Sequence, residues 1–140
     1  MARIIQVDST GKTRNQLMRT CAELLQRLGK KAHIDEDARN MLAMMVFCLR
    51  EISEGIEQSA EAWEKRDYWV KVEHLRNRWS WTDRFAARIE ALLRSERWEN
   101  LPELMVELMP HFEDIKVARL TRKPSLWENA HQHLLTEGSN

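Results

Sequence analysis

The sequence predicts an all-α protein, a compact helical bundle of about five helices preceded by a short extended arm. Three observations carry that reading. Apolar residues recur at spacings of three and four along most of the chain. An uninterrupted apolar run spans Met41 to Leu49, and only three prolines and four glycines punctuate 140 residues. A hydrophobic fraction of 43% is enough for a core without disulfides, and the length fits one domain over 1–140.

The elements follow in order. Residues 1–12 read as an arm, with Arg3 to Val7 extended and a turn at Gly11. Thr13 and Gln16 have the spacing of a capping box, which predicts a helix over about 14–28 with Leu17, Cys21, Leu24, Leu25 and Leu28 inward. Gly29 stops it. Asp35 caps the central helix, with Glu36 and Asp37 in its first turn, where carboxylates favour the helix dipole. That helix contains the apolar run, too short for the ~20 residues a membrane span needs, and extends to about residue 64.

The segment from Ala62 to Val70 reads as a tight turn capped by Asp67, because an uninterrupted helix through it would exceed the length usual in small domains. A third helix over about 68–95 has Val72, Leu75, Trp79, Phe85, Ile89, Leu92 and Leu93 as its inward face, with Trp81 on another face. Asn100 and Glu103 form a second capping box before a short helix that ends by Pro110. Ile115, Val117 and Leu120 mark a weaker segment. Pro124 starts a last short helix with Leu126, Trp127, Ala130, Leu134 and Leu135, and 137–140 is a frayed tail.

Zero net charge disfavours a protein devoted to coating a polyanion, yet the charges are segregated. Residues 1–34 hold seven basic groups against two acidic, 35–64 two against eight, 65–97 nine against five, and 98–140 four against seven. Such blocks can pair within the fold or between subunits. Cys21 and Cys48 lack a CxxC partner and sit on apolar faces, so reduced buried thiols and a cytoplasmic location are expected. No secretion signal is apparent at the N-terminus.

Several motifs carry chemistry only in part. Gly11-Lys12-Thr13 matches the end of a phosphate-binding loop, but Gln6 stands where the first glycine is required. Glu54, Glu57, Glu61 and Glu64 form a stripe, and Glu51, Glu54, Glu57 and Glu73 are the candidate ligands for a hard cation. Glu128 to His131 is one Glu-x-x-His element where a paired-metal bundle needs two. His33, His74, His111, His131 and His133 share no spacing with a thiol or acid that marks a catalytic site.

Arg76, Arg84 and Arg88 with Trp81 form a candidate nucleic-acid contact. Trp63, Tyr68 and Trp69, joined by Met44 and Phe47, are the candidate interface anchors. The preferred reading is a non-enzymatic interaction or assembly protein without a cofactor, self-associating as a homodimer or engaging another protein. A metal-dependent nucleotide or phosphate hydrolase using the glutamates is the second class. A nucleic-acid-binding accessory factor is the third and is not favoured.

Overall fold

A computed structural model describes residues 7–137, with backbone alone at 7–10; it is all-helical, and no strand occurs among the described residues. The five α-helices are α1 (Val7–Gly29), α2 (Glu36–Glu64), α3 (Trp69–Ser95), α4 (Leu101–Leu108) and α5 (Ala130–Thr136). Short 3-10 turns lie at Trp98–Asn100, Met109–Phe112 and Pro124–Trp127. The first six residues of the expected arm and residues 138–140 of the tail lie outside the described residues.

At the N-terminus the structure corrects the expectation: residues 7–12 are already helical, and α1 runs through Gly11. Gly11-Lys12-Thr13 is therefore neither a turn nor a phosphate loop, and Thr13 is not a cap. An interior glycine costs a helix roughly 0.5–1 kcal/mol. Further along, Cys21, Leu24, Leu25 and Leu28 are buried and dock the helix on the bundle.

Helix α2 is the centre of the bundle. Met41, Leu42, Ala43, Met45, Val46, Cys48 and Leu49 are buried, with Ile52, Ile56 and Ala60 continuing the buried face. Helices α1 and α3 pack along it, and the Pro124–Trp127 turn and α5 fold back over its first half. The apolar run is thus surrounded within one chain. Asp35 caps α2 by accepting the Ala38 N–H at 2.8 Å, and Lys31 pairs with Asp35 and Asp37.

The turn between α2 and α3 is present, but Asp67 does not cap the third helix. Asp67 takes a left-handed conformation (φ 60°), Tyr68 stands at the cap position, and the Tyr68 N–H closes onto the Trp63 carbonyl at 3.0 Å. The second expected capping box also fails, since the Asn100 side chain makes no capping hydrogen bond. Helix α3 ends at Glu96, again left-handed (φ 58°). The last helix is broken in two: Glu128 is extended and Asn129 left-handed, so Trp127 belongs to the 3-10 turn and Ala130 to α5.

Between Glu113 and Lys123 the chain has no helix and lies across α1 as a strap. Glu23, completely buried, holds it. Its carboxylate accepts the backbone N–H groups of Thr121 (2.7 Å) and Arg122 (2.9 Å), the Thr121 hydroxyl (2.7 Å), and the guanidinium groups of Arg19 (3.0 Å) and Arg122 (3.3 Å). Burial alone would raise its pKa. The donors from Arg122, Thr121 and Arg19 overcome that and bring it down to about 2. Arg19 also donates to the Lys116 and Arg119 carbonyls, and Arg27 to that of Arg122.

Candidate functional site

The glutamate stripe is divided by its partners. Arg76 of α3 reaches across to α2 and donates to Glu57 at 2.8 Å and to Glu64 at 3.2 Å. That hydrogen bond holds the Glu57 carboxyl below its ordinary pKa. Glu51, Glu54 and Glu73 are exposed, and among the described residues no three His, Cys, Asp or Glu side chains converge as a metal site. The four candidate ligands thus do not form one concavity, and the hydrolase reading loses its geometric basis.

The arginine set separates in the same way. Arg76 is committed to the stripe, and Arg88 donates to Glu107 at 2.8 Å. Arg84 lies 5.8 Å from the Phe85 ring centre and has no carboxylate partner among the described residues. Trp81 is only 7% exposed, stacked on His111 with ring centres 4.0 Å apart and edge-on to Phe85 and Phe112. Its faces are occupied by the protein itself, so it offers no stacking platform to a base. Spacing places Trp79 inward and Trp81 on another face; the structure reverses them, because the Met109–Phe112 turn covers Trp81 and leaves Trp79 half-buried.

The interface candidates fall into two groups. Met44 and Phe47 are half-buried against the core on α2. Trp63 is also half-buried, 16 residues beyond Phe47, which is about 24 Å along a helix. At the α2–α3 tip, the three consecutive residues Tyr68, Trp69 and Val70 are 45%, 58% and 69% exposed. Lys71 sits over the Tyr68 ring at 5.2 Å, and Lys65, Arg66 and Asp67 precede the run with both signs of charge.

Two concavities were not foreseen from the sequence. One, of about 600 Å³, is a shallow apolar groove where α1 faces the end of α4, with Leu25, Met109 and Phe112 in its lining. The other is a cleft of about 720 Å³ where α1, α3 and the segment after α4 meet. Arg14 and Asn15 enter it from α1, Arg78 and Trp79 from α3, and His111 and Asp114 from beyond α4. Arg14 lies 5.1 Å and Arg78 5.9 Å from the Trp79 ring centre. Burial, then the nearby Arg78 charge, lowers the Arg14 pKa; burial, then Arg84, lowers that of His111. Only tertiary packing unites these three separate segments of the chain, so spacing along one helix gave no signal for this cleft.

The chain matches no protein-family model, no curated protein and no solved structure in the three comparisons. Its site chemistry therefore rests on its own residues. No helix among the described residues is long and apolar enough to cross a membrane.

Proposed function

We propose that the protein is a non-enzymatic interaction module that self-associates through the tip between α2 and α3. The observation that carries this reading is the exposed run Tyr68-Trp69-Val70. Two aromatic rings standing in water at the end of a helical hairpin are the residue types that anchor interfaces. A second copy is the fitting partner because Lys65 and Arg66 stand beside Asp67 next to the exposed run. A two-fold contact sets a surface against itself, and neighbouring charges of both signs can then pair with their mates.

Size limits the affinity. Aromatic side chains bury about 150–250 Å² when fully covered, so the exposed parts of Tyr68 and Trp69 offer on the order of 200 Å² together. A stable interface takes about 800 Å² from each partner. The dimer is accordingly weak, forming at micromolar concentrations or above.

Sedimentation equilibrium from micromolar to near-millimolar protein tests this. The expected result is a concentration-dependent dimer that Trp69→Ser and Tyr68→Ser each weaken at unchanged helical circular dichroism. A wild-type monomer at every concentration, or a dimer indifferent to both substitutions, overturns the proposal.

A further inference from the structure

The cleft between α1 and α3 has a charge pattern that the fold leaves unresolved. Arg14 and Arg78 approach the same tryptophan, and among the described residues neither is in an ion pair. Several arginines elsewhere are neutralised across elements, Arg76 by Glu57 and Glu64, Arg88 by Glu107 and Arg50 by Glu90 and Glu137, whereas Arg14 and Arg78 share one concavity and one ring without a carboxylate between them. Here the half-buried Arg14 is partly desolvated and feels the like charge of the exposed Arg78, while Arg84 acts on His111 beside them. Asp114 is the one acidic residue of the lining, and it pairs with neither arginine.

We infer that this cleft binds a small organic phosphate, its dianionic group between Arg14 and Arg78 and its organic body against the apolar wall. Arginine suits the anion because its planar fork donates to two phosphate oxygens at once. A dianion also removes the mutual repulsion of the pair. The wall formed by Met18, Leu75, Trp79 and Ile115 rewards an organic substituent over inorganic phosphate, since apolar surface removed from water contributes about 25 cal/mol per Å². At about 720 Å³ the cleft lies in the size range of small-molecule sites, roughly 300–1,000 Å³.

A polymer fits less well. A nucleic-acid strand needs a continuous cationic track. Along α3 the cations on either side of Arg78 and Arg84 are already committed, Arg76 to the α2 glutamates and Arg88 to Glu107. This site is separate from the α2–α3 tip and does not depend on self-association.

Isothermal titration of the full chain with adenosine monophosphate and with phenyl phosphate tests the inference, with adenosine and inorganic phosphate as the two halves of the ligand. At least one of the organic phosphates is expected to bind at sub-millimolar concentration and to quench tryptophan fluorescence. Inorganic phosphate, and adenosine where adenosine monophosphate is the binder, should bind at least tenfold more weakly. Arg14→Gln and Arg78→Gln should each weaken binding at least tenfold, while Arg66→Gln at the distant tip leaves it unchanged. Failure of both organic phosphates at millimolar concentration overturns the site, as does wild-type affinity in either cleft variant. A 5′-phosphorylated tetranucleotide binding tenfold more tightly than the small ligands overturns the small-molecule assignment in favour of nucleic acid. Should either Gln variant lose its helical spectrum, the wild-type ranking of organic phosphate over its separate halves decides the matter.

Discussion

Glu23 shows how one buried carboxylate can hold the eleven-residue strap over 113–123. It is fully buried, yet it accepts hydrogen bonds from three residues, and its pKa falls from an ordinary 4.5 to about 2. A depressed folded-state pKa stabilises the fold above the unfolded value and loses that contribution as pH drops through the folded one. The shift corresponds to about 3 kcal/mol, present at pH 5 and above and lost progressively between about pH 4.5 and 2. Glu23→Gln should therefore lower the urea midpoint strongly at pH 7, and the gap to wild type should narrow at pH 3; a gap constant with pH would refute the charge-based account. Cys21 and Cys48 make the opposite case, of groups kept from reacting. Both thiols are free and buried, and a hydrogen bond with Cys48, together with burial, pushes the Cys21 thiol pKa up. A thiol reagent such as dithionitrobenzoate should label neither in the native protein and both in urea; rapid native labelling would show that the α1–α2 seam opens.

At the scale of elements, the C-terminal turn is fastened by Trp127, buried on α2 with its indole N–H donating to Asp37 at 2.9 Å and its ring centre 5.1 Å from Arg27. Trp127→Phe keeps much of the ring and leaves Asp37 one donor short, which should cost about 1–2 kcal/mol, whereas Trp127→Ala should cost about 3–5 kcal/mol; thermal unfolding of the pair separates packing from the hydrogen bond. Much of this level was legible in the sequence. The bounds of α2, the Asp35 cap, the turn before Trp69, the inward face of α1 and most of that of α3 follow from local signals of period 3.6 and cap chemistry, but the spacing selects Trp79 as the inward tryptophan where the structure buries Trp81. Illegible were the start of α1, where the helix runs through Gly11 instead of beginning after it, and the strap over 113–123, whose structure is set by hydrogen bonds to Glu23 and Arg19 rather than by periodicity. The Arg14–Arg78–Trp79 cleft was hidden for a related reason. Arg76 and Arg78 look alike in the sequence, and only the arrival of Glu57 and Glu64 on one side and Arg14 on the other makes one a neutral tie and the other an unpaired cation.

For the whole molecule, the alternating charge blocks become cross-element ties: α2 to α3 through Glu57 and Arg76, α3 to α4 through Arg88 and Glu107, and α2 to α3 and the C-terminus through Arg50 with Glu90 and Glu137. Most are solvent-accessible and contribute little singly, roughly 0–1 kcal/mol. Arg76→Gln should accordingly shift the melting temperature by only a few degrees, and a collapse of the helical signal would mean that the pair does more than tie two surfaces. The Glu23 strap differs because its carboxylate is fully buried while it joins positions 98 and 99 residues apart. Closing so long a loop carries a large entropic penalty before any contact repays it, while the α1–α2–α3 hairpins assemble from near neighbours. The strap should settle after the rate-limiting step of folding, so loosening it by Glu23→Gln is expected to leave the refolding rate nearly unchanged and to accelerate unfolding. Stopped-flow measurement of both arms of the chevron reads this directly: the residue that fastens the finished molecule would set how long it stays folded, not how fast it gets there.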